Sequence, residues 1–294
     1  MAPFFYDVRA TKIINMIKMK EFFQSPLPFQ GQKRKFTKTF SAELEKYHSK
    51  GVYVDLFGGS GLLSHTVKRV YAEAKVVYND YDGFSRRLQA IPGTNMLLAQ
   101  LRVIMAGYER DAKILGDYRH RVCKLLEQAD KTGYVDWITL SSSLKFAMSY
   151  GTSIADFVND TLYNKVVQAD YDATGYLDGV EVVTMDYKNL FEHFRHYENV
   201  VFLVDPPYLS TDTATYGSNG YWKLKDYLDV LHVLNGSDYF YFTSNKSQIV
   251  ELCEWISSVS ATANPFENAN RTAISTTTSY NTGYIDIMYS YKKK

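Results

Sequence analysis

Three short runs carry residue types that together could hold a ligand and orient an amine. The first is Asp55-Leu56-Phe57-Gly58-Gly59-Ser60-Gly61. Its glycines allow a sharp turn and a close approach of backbone to ligand. A glycine loop opening onto a helix can also cradle a phosphate, but no Gly-Lys-Ser/Thr follows, which excludes a P-loop. A dinucleotide fingerprint is met only as far as Gly59-Ser60-Gly61, because Ser64 stands where the last glycine belongs. The second is Asp80, about 20 residues past the glycine loop, where a carboxylate can accept both hydroxyls of a ribose. A strand-end Asp is also a common helix cap. The third is Asp205-Pro206-Pro207-Tyr208. Two prolines force extended backbone and remove two N–H donors, leaving a ledge of acceptors. The Asp205 carboxylate and the Pro206 carbonyl could take both hydrogens of an exocyclic amine, while its flat ring stacks on Tyr208.

The elements that position these runs follow from hydrophobic patterning. Val52–Leu56 reads as a buried strand, followed by a helix over 61–72, a strand Lys75–Tyr78 and a helix over 83–90. This rhythm favours a parallel, doubly wound sheet, in which ligands bind at the carboxyl ends of the strands. Residues 93–178 replace it with helical patterns and scattered aromatics, read as an inserted, mostly helical subdomain. The rhythm resumes with strand Val180–Thr184, helix 187–196 and the five-residue apolar strand Val200–Val204. A loop with Gly217 and Gly220 leads to helix 223–234, strand Tyr239–Thr243 and helix 247–256. A hairpin of Thr272–Thr277 and Tyr284–Tyr289, turning at Asn281-Thr282-Gly283, closes the chain. Ahead of all this, Ile13, Ile14, Ile17 and Phe22 predict an amphipathic helix over 10–24, ended by Ser25-Pro26-Leu27-Pro28. It is suited to core packing, DNA contact or homodimer formation.

Composition narrows the class. The chain has 294 residues, 46% hydrophobic and 22% charged, which is ample for a core and argues against long disorder. No apolar run reaches the ~18–20 residues of a membrane span, and the start has no secretory pattern, so a cytoplasmic protein is expected. Two cysteines, Cys123 and Cys253, exclude a disulfide framework and a multi-cysteine metal site. The net charge of +1 hides an asymmetry: residues 1–50 carry ten Lys/Arg against four Asp/Glu. Such a basic region suits nucleic acid, or is a solvated face.

The pairing of Asp-Leu-Phe-Gly-Gly-Ser-Gly with Asp-Pro-Pro-Tyr about 150 residues later resembles the Dam-like DNA adenine-N6 methyltransferases of the alpha motif order. The resemblance covers 28–91 and 180–290 and matches 93–178 by position and size. It implies a class I S-adenosylmethionine-dependent fold, with a catalytic domain of 1–92 and 179–294 and a target-recognition domain of 93–178. It implies S-adenosylmethionine as cofactor, no metal, and double-stranded DNA as partner, in a bacterium or its phage. Pro28-Phe29-Gln30-Gly31-Gln32-Lys33 resembles the N-terminal cofactor motif, with Gln32 in place of the family's second glycine. Asp55, Phe57, Gly58, Gly59, Ser60 and Gly61 would surround the methionine part, Asp80 the ribose, and Asp186 with Tyr187 the adenine. Asp205–Tyr208 resembles the family's catalytic tetrapeptide, which the resemblance implies orients the target amine. Thr243-Ser244-Asn245 resembles the segment lining the target-base pocket, and Arg271 a phosphate contact.

Other expected DNA contacts are Arg34 and Lys35 in one basic cluster, and Arg119, Arg121 and Lys124 in another. The insert holds nine Lys/Arg against eleven Asp/Glu, so it is not basic as a whole. The Asn-rich segment of enzymes that read GATC is absent. Alternatives are methylation of RNA adenine or of protein glutamine, whose related tetrapeptide often begins with Asn, and a non-catalytic DNA-binding protein. An oxidoreductase using NAD leaves Asp205–Tyr208 unexplained.

Overall fold

Strands rich in Val, Phe and Tyr with apolar residues on both faces must be covered on both sides. The computed structural model describes residues 20–146, 149–208, 222–259, 264–279 and 282–293. It contains β1 (Val52–Asp55), β2 (Lys75–Asn79), β3 (Glu181–Val183), β4 (Val200–Val204), β5 (Asp238–Ser244), β6 (Asn270–Ser279) and β7 (Thr282–Tyr291). They form one sheet in the order β3-β2-β1-β4-β5-β7-β6. The first five are parallel, and β7 runs antiparallel to both β5 and β6. This is the doubly wound mixed sheet expected, with its order reversing between β1 and β4.

Ten helices accompany the sheet among the described residues. They are α1 (Thr37–Leu44), α2 (Leu62–Val70), α3 (Phe84–Gln89), α4 (Ile91–Ile104), α5 (Gly116–Thr132), α6 (Trp137–Leu144), α7 (Ile154–Val158), α8 (Tyr187–Phe194), α9 (Leu224–Leu234) and α10 (Ile249–Val259). Alternation along each strand divides the core. Val54, Phe202, Val204, Tyr239 and Tyr241 face α8, α9 and α10. Tyr53, Val201, Leu203, Phe240 and Phe242 face α1 and α2. Helix α1 was not expected; Phe36, Phe40 and Leu44 fall on one face of it and are buried against Phe240 and Phe242. Cys253 is buried and Cys123 half-buried, both free.

The predicted helix over 10–24 lies outside the described residues as far as residue 19, and 20–24 are not helical. The loop with Gly217 and Gly220 also lies outside them, as does Asn281 of the hairpin turn. No helix among the described residues is long and apolar enough to cross a membrane.

Between β2 and β3, helices α4 to α7 build a core of their own from Leu98, Leu101, Val122, Leu126, Leu140, Leu144 and Phe157. A buried ion pair joins it to the sheet. Arg87 of α3 places Nε 3.0 Å and 3.1 Å from the two Asp136 carboxylate oxygens. Its Nη2 donates to the Pro28 carbonyl at 2.8 Å and to Thr139 Oγ1 at 3.0 Å. Asp136 in turn caps α6 by accepting the Thr139 N–H. One guanidinium thus fixes the N-terminal loop, α3 and the helical insert together.

Truncating one member of such a pair strands the other charge in the interior, so Arg87→Ala should cost about 3–5 kcal/mol. Urea unfolding followed by circular dichroism checks this; a loss of less than ~1 kcal/mol, the range of exposed pairs, would contradict it.

Candidate active site

The carboxyl ends of parallel strands are where this topology opens a crevice. A cavity of about 940 Å³ occupies that edge. Its wall is drawn from the ends of β1 (Leu56–Gly59), β2 (Asn79, Tyr81, Asp82), β4 (Asp205–Tyr208) and β5 (Ser244, Lys246). Pro28–Lys35, Met185–Lys188, the start of β7 (Tyr284, Asp286), Tyr150 of the insert, and Trp222 with Asp226 complete it. The glycine loop and the Asp-Pro-Pro-Tyr run, about 150 residues apart in sequence, therefore face one space.

The glycine loop is held at close quarters. A Cβ on Gly58 would fall 2.2 Å from the Tyr78 ring, and Gly59 and Gly61 have φ of +50° and +71°. Gly59 lies against the Phe29 ring, which packs edge-on to Phe84 with centroids 5.5 Å apart. Gln32, which departs from the family's glycine, braces this N-terminal loop by accepting the Ser25 N–H at 2.8 Å. Behind the loop, Asp55 is fully buried. Its Oδ2 accepts from Ser64 Oγ at 2.8 Å, while its Oδ1 has no hydrogen-bond partner. Gln30 Oε1 is likewise buried without one. Buried acceptors of this kind need a donor.

The second half of the site centres on a buried ion pair. Lys33 Nζ lies 2.5 Å from Asp205 Oδ2, and the two side chains are only 9% and 17% exposed. The same ammonium donates to the Gly31 carbonyl at 2.8 Å and sits 5.2 Å from the centre of the Tyr208 ring. Burial raises the Asp205 pKa, the Lys33 charge opposes that rise, and Asp286 adds to it. Asp55 is pushed up to about 7, by burial first and by the Asp205 charge in addition.

The remaining candidates divide. Asp186 caps α8 by accepting the Lys188 N–H at 2.8 Å, and it lines the cavity beside Tyr187. Tyr187 packs on Phe57 with centroids 4.8 Å apart and stacks on Trp222 at 5.9 Å. Ser60 is buried, and its carbonyl accepts from the Tyr176 hydroxyl. Asp80 ends β2 as expected but does not line the cavity; its carboxylate is bound to the first turn of α3. Arg34 and Lys35 are exposed on the cavity rim.

Arg119, Arg121 and Lys124 lie on α5, away from the cavity wall, and Arg119 donates to the Val158 carbonyl. The Asn245 side chain is spent on strand pairing, its Oδ1 accepting the Ile285 N–H at 2.7 Å. Arg271, on the outer strand β6, pairs with Tyr289. Sequence patterns did not single out Tyr81, Asp82, Trp222, Lys246, Tyr284 or Asp286. Of these, Tyr81, Asp82 and Lys246 lie one or two positions from Asp80 or Asn245 in the sequence.

A protein of Haemophilus influenzae named "Putative methyltransferase" is 34% identical to this chain over 281 residues, which is 93% of this chain and 94% of that protein. No family model matches the chain.

The two raised carboxylates set a sign for stability. A folded-state pKa above the unfolded value stabilises the protein below the unfolded pKa and loses that contribution as pH rises through the folded one. For Asp55 the window runs from the ordinary 3.8 to about 7, and Asp205 acts in the same direction. The urea midpoint should therefore fall between pH 6.5 and pH 8, above the range in which His65, whose pKa burial lowers, acts in the opposite direction. Asp55→Asn should flatten most of that slope and raise the midpoint at pH 8. A midpoint that climbs over this range in the parent protein would overturn the assignment.

Proposed function

The chain belongs to the methyltransferase family of its Haemophilus relative, and we propose that it methylates the N6 amine of an adenine flipped out of double-stranded DNA, using S-adenosylmethionine. One observation carries this reading: the glycine loop and the Asp205–Tyr208 ledge share a single cavity at the sheet's switch point. The fold is that of the class I methyltransferases, and the resemblance of both motifs to the Dam-like enzymes supports DNA adenine as substrate.

The residues present suit the cofactor. Its methionine backbone would lie along the glycine loop, where any larger residue at Gly58 would collide with Tyr78. Asp186, Tyr187 and the neighbouring Phe57 suit a purine. When bound, S-adenosylmethionine supplies an electrophilic methyl on a sulfonium.

On the acceptor side, the N6 lone pair of adenine is delocalised into its ring, so the free amine is a weak nucleophile. Asp205 and the Pro206 carbonyl would accept its two hydrogens, favour a pyramidal nitrogen and leave the lone pair aimed across the cavity. Tyr208 would stack on the ring. Catalysis is then mostly positioning and electrostatics. Lys33 holds the Asp205 carboxylate in place, while burial keeps that carboxylate basic enough to take the proton released after transfer. A duplex base cannot reach this depth, so it must flip at a cost of a few kcal/mol, offset in part by stacking. The exposed cations on the rim, Arg34, Lys35 and Lys246, suit the flanking phosphates.

Asp205→Ala should lower tritium transfer from labelled cofactor to duplex DNA by roughly a thousandfold or more, the scale of a lost positioning and electrostatic group. S-adenosylhomocysteine should still bind within about threefold of the parent, since Asp205 serves mainly the acceptor. Near-parental turnover in the variant would refute this role. Transfer to RNA or to protein glutamine, with none to DNA, would refute the substrate.

A further inference from the structure

A base held against a fixed cation resists protonation, and Asp205 is such a base. The Lys33 ammonium lies 2.5 Å from its carboxylate and stabilises the ionised form. When Asp205 takes up a proton, that ammonium loses its counter-charge in a poorly solvated place. The proton affinity of Asp205 therefore depends on whether a second anion stands near Lys33.

The strand registers place one there. Val204, the last residue of β4, pairs with Tyr241, so Asp205 stands beside Phe242 of β5. Phe242 pairs with Met288, and the next pair outward on the same face is Ser244 with Asp286. Lys33 Nζ sits over that face, 5.9 Å from the centre of the Phe242 ring. Asp205, Ser244 and Asp286 all line the cavity, and Asp286 is half-buried. Its charge adds to the rise in the Asp205 pKa. The other titratable groups around Asp205 are Asp55, Tyr208 and Tyr241. Asp286 also faces Tyr284 of its own strand, whose ring carries Lys246 above it.

We propose that Asp286 is a positioning residue for the transfer: its carboxylate keeps Lys33 neutralised when Asp205 receives the proton, and so lets Asp205 serve as the base. This rests on the adenine reading above. In that step the N6 lone pair forms the new N–C bond, and the electron pair of the broken C–S bond stays on sulfur. The N–H pair returns to nitrogen as its proton passes to Asp205. Together Asp205, Lys33 and Asp286 pass from net negative to neutral, whereas without Asp286 they would pass from neutral to a stranded cation.

Carbon-13 NMR of the full chain with labelled aspartate follows the Asp205 carboxyl through a pH titration, its signal assigned by its loss in Asp205→Asn. Asp286→Asn should lower the midpoint of that titration by roughly one pH unit, the scale of removing one like charge from a partly solvated site. Asp286→Glu, which keeps the charge, should leave the midpoint near the parent's. The acid limb of kcat on duplex DNA should move to lower pH together with the midpoint. A midpoint unmoved in Asp286→Asn overturns the proposal, as does a midpoint that moves while the acid limb stays. Asp286→Ser gives the same readings if the asparagine variant does not fold. If the parent transfers no methyl to duplex DNA, the adenine reading falls, and the midpoints still decide whether Asp286 acts on Asp205.

Discussion

Two buried carboxylates, Asp55 and Asp205, end neighbouring parallel strands, and one buried cation, Lys33, pairs with Asp205. Burial raises the pKa of both, with the Asp205 charge adding to the rise at Asp55 and the Asp286 charge to that at Asp205. The sheet order forces them together, because β1 and β4 lie side by side in register, with Asp55 opposite Leu203. Lys33 can reach Asp205 only if the N-terminal loop folds across the strand ends. That loop is held by Gln32 to Ser25, by Phe29 against Gly59, and by Arg87 to the Pro28 carbonyl. The geometry of the site therefore depends on a charge delivered from outside the sheet.

The same dependence explains why the helical insert is more than an appendage. Arg87 binds the loop and the insert with one planar group, so a displacement of α6 is felt at Pro28 and then at Lys33. A planar guanidinium suits this role because its donors point in several fixed directions.

Much of the sheet was legible in the sequence, for a physical reason. Val200–Val204 is the strand predicted residue for residue, since a five-residue apolar run in a covered parallel sheet has one reading. The glycine loop was legible because Gly58 can be nothing else beside Tyr78. Helix α1 was missed: with eight residues and Thr37, Lys38, Thr39 and Ser41 among them, it owes its helicity to packing rather than propensity. Asp82 and Lys246 were missed because a residue's neighbour in sequence can face a different way at a turn. Asn245 looks like a pocket residue by position, yet its amide closes the β5–β7 pairing. The cations on α5 were the more conspicuous cluster in sequence, but Arg34, Lys35 and Lys246, drawn from two separated segments, are the ones that meet at the cavity.

Long-read sequencing of DNA from cells that express this chain, in a host lacking its own adenine methylation, addresses the central claim. The account predicts N6-methyladenine at one short recurring motif, and its disappearance when Asp205 is replaced. Unmodified adenine throughout, from a folded protein that binds S-adenosylmethionine, would contradict it.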